Sequence, residues 1–407
     1  MTTGLEIHPD QAADSRRHRS HGALLTEVLT YARQRDYVGW DYVDGMSSRL
    51  LRGLPFEHKW LNLAVQETIK RAPVNLRRLF LVEQRRNFKG TALFAMANRT
   101  AARMEREGLV EASADVDYEA EERRLLDWLL ANRSEGFNGF CGGHKHTIQG
   151  LHHQGFPNEP DLVSTSYAVR ALLRGAAHDS RYEDVARSAA DFAVEDMHYR
   201  EVDGGAKIRY YPKHPDDAYT LNAGAITARM FVDLYDYFGD ETLLDRGRKL
   251  LDYIVDAQTP VGGWYYRDPP EASHLSMDNH HNGFIVESLQ RYHEVTGTSR
   301  YRDSLHEALR FYREELFDAD GAPRWDEQSA YPRDIHAAAQ GIIVFAAADQ
   351  LPLANRILDW TRRHLYAGDG RFYYRKHLLY TKRITLMRWC EAWMAYAVGE
   401  LLTAERR

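Results

Sequence analysis

Histidines beside carboxylates are the side chains in this sequence best suited to moving protons near neutrality. Two such groupings stand out, Asp278 with His281 and Asp334 with His336. Imidazole titrates close to pH 7, so His281 and His336 suit the acid and base of a proton abstraction from carbon. Tyr219 is an alternative proton donor. Arg388 offers a planar fork that can pair a carboxylate bidentately. Asn222 and Asn279 suit ring hydroxyls, and Lys89, His146 and Trp389 add a cation, a further imidazole and an indole face. Asp217, Asp278, Asp334 and Glu391 supply the carboxyls for a second chemistry, inverting glycoside hydrolysis. That chemistry needs two carboxyl groups roughly 6.5–9.5 Å apart.

Each of these residues also has a plainer reading. Ser, Thr, Asp and Asn at helix starts are ordinary caps, and Ser164 and Asp240 read that way. Trp389, Trp393 and Tyr396 recur at helical spacing, as core residues do. Convergence argues for function: caps alone do not call for His, Arg and Glu at three separate helix starts. Metal ligation would have to come from His144 with His146, or from His280 with His281. Neighbouring histidines diverge on a helix, and HExxH, CxxC, GxxxxGK and GxSxG are all absent, so neither a metal nor a cofactor is expected. Cys141 and Cys390 form no framework.

The elements that must position these groups follow from an internal repeat of helix, tight turn, helix, then glycine and aromatics. In its clearest copy a helix runs from Tyr219 to about Phe238, Gly239 ends it, and Asp240 caps the next. That second helix carries Leu243, Leu244, Gly247, Leu250, Leu251 and Ile254 on one face, and Gly262, Gly263, Trp264, Tyr265 and Tyr266 close the unit. First helices are predicted to start at 164, 219, 279, 334 and about 386, with a further pair at 87–106 and 118–132. An unpaired helix at 21–35 and another at 386–402 complete six hairpins if the two ends meet. The expected fold is therefore all-α, an (α/α)6 toroid with short β-ribbons at the closing turns. The first helices, richer in Ala and Gly, form its inner ring, and their polar starts face solvent on one rim. Residues 1–20 are expected to be a loose tail and 21–407 a single domain.

Composition bounds the function. Fifty-three basic against 59 acidic residues give a net charge of −6, which argues against a nucleic-acid binder. Residues 1–22 lack an apolar h-region, and the run from Ile342 to Ala348 is too short to span a bilayer, so the expected compartment is the cytoplasm. DDxxD and DxDD runs of terpenoid cyclases are missing.

Several segments carry a resemblance. They include Gly39-Trp40-Asp41-Tyr42-Val43-Asp44-Gly45, Lys70-Arg71-Ala72-Pro73-Val74-Asn75-Leu76-Arg77 and Asn87-Phe88-Lys89-Gly90. Others are Asp278-Asn279-His280-His281-Asn282-Gly283, Tyr331-Pro332-Arg333-Asp334-Ile335-His336 and Met387-Arg388-Trp389-Cys390-Glu391-Ala392-Trp393-Met394. With these the chain resembles α/α-toroid proteins of bacterial and archaeal gene clusters for surface polysaccharides and protein N-glycans, from about residue 37 to the C-terminus. Uronate epimerases, polysaccharide lyases and glucoamylase-like hydrolases belong to the wider group. The chain departs from its relatives at Gly142-Gly143-His144-Lys145-His146-Thr147, where they carry aromatics and Asp. The resemblance implies a carbohydrate-active enzyme with a sugar or glycan as partner, in the first place one acting on a hexuronate by proton abstraction, as an epimerase or lyase does. The alternatives are an inverting hydrolase and a non-catalytic glycan-binding component of a glycosylation complex.

Overall fold

The computed structural model describes residues 9–111, 116–151, 153–214 and 218–407. Fourteen α-helices appear among them. The chain opens with α1 (Pro9–Arg33), α2 (Arg49–Arg52) and α3 (Lys59–Arg71). Five helix pairs follow: α4 (Phe88–Arg106) with α5 (Tyr118–Ala131), α6 (Leu162–Gly175) with α7 (Arg181–Asp191), α8 (Leu221–Phe238) with α9 (Glu241–Asp256), α10 (Asn279–Thr296) with α11 (Arg302–Glu315), and α12 (Ile335–Ala347) with α13 (Leu351–Leu365). The last helix is α14 (Trp393–Ala404), entered through a π-helical turn at Met387–Ala392.

The even-numbered helices from α4 to α14 touch in sequence order, and α14 touches α4, so the inner ring closes. This is the (α/α)6 toroid. Residues Leu221–Leu234 of α8 and Ile335–Ala346 of α12 are buried without interruption, as an inner ring surrounded by helices requires. Outer helices bury one stripe only; α9 buries Leu243, Gly247, Leu250, Leu251 and Ile254. Left-handed Gly239 (φ 70°) and Gly297 (φ 64°) end α8 and α10.

The sixth hairpin joins the two ends of the chain. Helix α1 packs on α14 and α4, and His21 Nδ1 lies 3.2 Å from Glu405 Oε2. It begins at Pro9, well before the expected start at His21, so residues 9–20 are helical. Strands are two or three residues long and confined to ribbons at the turns. One ribbon sets Arg375–Lys376 between Arg333–Asp334 and Thr381–Lys382, and another pairs Val38–Gly39 with Arg85–Arg86.

At the end where the inner helices begin, carboxylate and amide caps collect. Asn87 accepts from Gly90 N at 3.0 Å, Asp161 from Ser164 N at 2.7 Å, Asp278 from His281 N at 3.3 Å and Asp334 from His336 N at 2.8 Å. The cap of α6 is thus Asp161 and not Ser164, whose hydroxyl donates to the same carboxylate at 2.7 Å.

Candidate functional site

Capping orients the side chains that follow. At the start of α10, Asp278 Oδ2 lies 2.8 Å from His281 Nδ1, and its Oδ1 is 3.3 Å from His280 Nδ1. The two imidazoles do not diverge: their ring centroids are 3.9 Å apart, because both turn toward the capping carboxylate. At the start of α12, Asp334 accepts from the backbone of His336, from Trp389 Nε1 at 2.8 Å and from Arg375 Nε. These bonds set the His336 ring 4.7 Å from His280, 4.6 Å from Trp389 and 4.3 Å from Trp393. Neither ring nitrogen of His336 has a hydrogen-bond partner. Tyr266 lies 4.6 Å from His281 on one flank, and Tyr42 stacks on Trp389 at 4.5 Å on the other.

A second set of groups adjoins the first. Asp41 accepts from Arg388 Nε at 3.0 and 2.9 Å and from Arg388 Nη2 at 2.6 Å. Asn87 Nδ2 and Tyr42 N donate to it as well, at 2.8 and 2.7 Å. Next to it stand His144, whose Nδ1 is 4.0 Å from Asp41 Oδ2, and His146, whose Nε2 has no partner. Lys89 projects from the first turn of α4, 7% exposed, with its Nζ 5.9 Å from the Trp393 ring. Among the described residues no carboxylate lies within ion-pair distance of that amine.

The electrostatics follow from burial without full compensation. Burial, then the charges of His280, Lys89 and Arg388, hold His336 well below the ordinary imidazole range. Burial and His281 do the same to His280, and burial and Arg388 to His144. Burial together with Arg388 brings Lys89 down to about 7. Burial alone would raise Asp41, but Arg388 reverses the effect and keeps it ionised. Neutral imidazoles and an amine poised near neutrality are the forms that accept protons.

Two groups of ligand-type atoms are close enough to share a cation, Asp41 with His144 and His146, and Asp278 with His280 and His281; the atoms of each lie within 4.8 Å of one another. In the first group Arg388 already occupies the carboxylate, which sets a fixed positive charge against any metal.

The structure brings His281, His336, Asp278, Asp334, Trp389, Arg388, Lys89 and His146 to this end of the ring. Tyr219, Asn279 and Glu391 are engaged elsewhere. The Tyr219 hydroxyl accepts from Arg200 Nη2, and its ring faces Lys207 and Tyr253 of α9. Asn279 is occupied on both sides, donating to the Leu316 carbonyl at 2.7 Å and accepting from Tyr312 at 3.1 Å. Glu391 is fully buried and accepts from Phe372 N at 2.8 Å; Tyr31, Arg371 and Asp369 are its electrostatic neighbours, on the side of α1. Asn222 is buried with its amide oxygen unpaired, and Asp217 lies outside the described residues.

The rim is not solvent-facing as expected. His336 is 2% exposed, Arg388 3% and Asp334 1%; Tyr42 stacks on the adjacent Trp389, Arg375 pairs with Asp334 and Asp41 pairs with Arg388. Asp41, Tyr42 and Arg375 are given no individual role by their sequence pattern, and His280 stands there only as a possible metal ligand beside His281. The available signal was the acid-aromatic run Trp40-Asp41-Tyr42, whose acid needs a buried cation and whose aromatics need a surface.

No family model and no curated protein matches the chain. Solved structures do. Cellobiose 2-epimerase from Bacillus thermoamylovorans B4167 superposes with a TM-score of 0.61 at 15% identity, over 79% of this chain and 88% of that one. The glycoside hydrolase family 76 mannosidase Bt3792 from Bacteroides thetaiotaomicron VPI-5482 gives 0.61 at 13%, over 96% and 100%. An unsaturated glucuronyl hydrolase specific for heparin gives 0.60 at 13%, over 96% and 98%. At these identities the likeness is one of fold.

Proposed function

We propose that the protein is a carbohydrate-active enzyme that exchanges a proton on a sugar carbon next to a carboxylate or carbonyl, in the manner of an epimerase or isomerase. One observation carries this reading: His280 and His336 converge on Trp389, with His281 against His280, with the imidazoles of His280 and His336 held neutral and with both His336 nitrogens free. Epimerisation needs a base on one face of the carbon and an acid on the other; a neutral imidazole takes the proton as the base, and a second imidazole that already carries its extra proton gives one back as the acid. A hydrolase would instead need a carboxyl free to protonate the leaving oxygen. Here Asp41, Asp278 and Asp334 are each committed to a cation or imidazole, and Asp161, which burial raises, is committed to the backbone and hydroxyl of Ser164.

A hexuronate remains the preferred substrate class, with one change of role. Arg388 already clamps Asp41, whereas Lys89 is a buried amine with no carboxylate at ion-pair distance among the described residues, Asp161 and Asp41 acting on it only from farther off. A sugar carboxylate would supply the missing partner and raise the amine's pKa, so that the amine takes up a proton from solvent as the sugar binds; the ion pair neutralises the charge that otherwise opposes formation of a carbanion. The sugars named for the structural neighbours, cellobiose and a glucuronyl unit among them, support the same class.

The test is to incubate the protein in deuterium oxide with hexuronates and with their neutral hexose analogues, and to follow the sugars by NMR. Deuterium entering the carbon beside the carboxylate, with the uronate preferred, is the expected result. Release of reducing ends without deuterium at that carbon would replace the proposal with hydrolysis.

A further inference from the structure

Away from the histidines, ten of the fourteen large apolar side chains that stand exposed among the described residues fall in two short segments, 50–81 and 378–380. Single exposed hydrophobics scattered over a surface are ordinary, but a concentration of this kind marks a contact surface. Leu379 is 91% exposed, Leu378 70%, Leu79 69% and Trp60 62%. The two segments meet, since Lys382 Nζ donates to the Lys70 carbonyl at the end of α3. Lys70 Nζ in turn lies 5.6 Å from the ring of Tyr42, the residue stacked on Trp389, so the apolar surface borders the candidate site.

Charge gathers in the same place. Residues 49–83 and 375–383 hold eleven Lys and Arg against three acids, Glu57, Glu67 and Glu83, the last paired with Arg49 and Arg52, in a chain whose overall charge is −6. Lys59, Arg78 and Arg383 are exposed, and the Arg49 and Arg71 side chains are 70% and 78% exposed. Interleaved leucine, tryptophan and basic side chains match one partner better than others. Protein interfaces deplete Lys at their cores. A bilayer surface instead takes leucine and tryptophan into the headgroup region and holds cations against lipid phosphates.

We propose that this face docks the protein on an anionic lipid surface, with Leu378, Leu379 and Trp60 entering the headgroup layer and Lys59, Arg71 and Arg78 set against the phosphates. No described helix is long and apolar enough to cross a membrane, so the attachment is peripheral. The inference rests on the composition and placement of the surface, and it stands or falls apart from the chemistry of the site.

Co-sedimentation of the full chain with vesicles tests it. Vesicles of phosphatidylcholine mixed with phosphatidylglycerol should retain the protein at low salt, vesicles of phosphatidylcholine alone should not, and added salt should release it. Leu378→Ser with Leu379→Ser should weaken binding by about a hundredfold, from the loss of two leucines worth about tenfold each when taken into the headgroup layer. Arg71→Glu with Arg78→Glu should weaken it by at least about tenfold, since each basic residue near such a surface contributes about fivefold. All four side chains are exposed, so the variants should keep the wild-type melting temperature. Failure to bind the anionic vesicles at low salt would overturn the proposal. So would equal binding by wild type and the leucine variant, which would reduce the effect to unspecific charge. A wild type that dimerises in sedimentation velocity, does not bind vesicles, and becomes monomeric in the leucine variant would assign the surface to a second copy of the chain.

Discussion

Where the inner helices end, Glu287 accepts from Arg170 at 3.1 Å, from Arg229, and from Gln340 at 2.9 Å, while Asp233 accepts from Arg291 at 2.7 Å. Glu287, Asp233 and their three arginines line a hollow of about 650 Å³ that also holds Arg174 and Glu400, paired at 2.7 Å. Where the same helices begin, the space is nearly closed and holds His280, His336, His144 and Lys89. Both ends bury ionisable groups, yet the groups respond in opposite directions. Burial opposes the charges of Glu287 and Asp233, but the surrounding arginines outweigh it and keep both acids ionised. At the other end burial wins, and imidazoles and amine shift toward their neutral forms. A network in which every charge has its opposite holds helices together. A cluster left short of counter-charges keeps groups ready to take up protons. The size of a hollow is therefore a poor guide to chemistry in this molecule.

The sharpest way to break this contrast is to remove one member from each end. His336→Ala should lower turnover by about a hundredfold to ten-thousandfold, the range for a lost acid or base. It should cost the fold less than Glu287→Ala does. Glu287→Ala strands Arg170 and Arg229 in the interior and should cost about 3–5 kcal/mol in denaturant unfolding, with turnover per folded molecule retained. If Glu287→Ala silenced the chemistry at full stability, or His336→Ala unfolded the chain at full specific activity, the two ends would have to exchange roles.

How far the sequence foretold this arrangement depends on the range of the signal. The toroid was legible because its evidence is local and repeated: Gly239 and Gly297 end inner helices as glycine does, and the helix starts at 279 and 334 fall within a residue of those observed. Half of the candidate site was legible for the same reason, since Asp278 and Asp334 cap helices and so fix the histidines beside them. The partner of Arg388 was not. Asp41 is 347 residues away in sequence, and no periodicity links a turn near the start of the chain to a helix near its end. The same segment conceals the rim. It contains only the four-residue α2 and the single helix α3 between irregular turns, so nothing in its pattern announces that it folds back over the inner helices.

Lys89 sharpens the comparison through pH. Its amine titrates at about 7 in the folded protein, against roughly 10.4 in an unfolded chain. Below pH 7 both states carry the proton, and the cost of burying the charge is felt in full. Between pH 7 and about 10 the unfolded chain binds the extra proton, so this group's contribution to stability rises by about 1.4 kcal/mol per pH unit. Lys89→Met removes the cost at low pH. It should therefore be more stable than wild type at pH 6 to 7, and that advantage should shrink as pH approaches 10. A constant difference across the range would mean that Lys89 keeps its ordinary pKa and is not the uncompensated group described above.

The smallest effect is expected at Tyr219, and it separates placement from residue type. Tyr219 precedes α8 in a two-residue strand paired with Arg267–Asp268, and in a strand successive side chains face opposite sides. Its neighbours are Arg200, Lys207 and Tyr253, all on the side of the outer helix α9. Its hydroxyl accepts from Arg200 and makes no bond to the histidine cluster. Tyr219→Phe deletes that one bond while keeping the ring, so the cost should be about 1 kcal/mol or less, seen as a small shift in the unfolding midpoint. Turnover should stay within about twofold of wild type, because a proton donor has to lie within reach of the reacting atoms. A hundredfold loss of turnover at unchanged stability would return Tyr219 to the role its residue type first suggested. It would also mean that the ribbon carrying it turns inward when substrate binds.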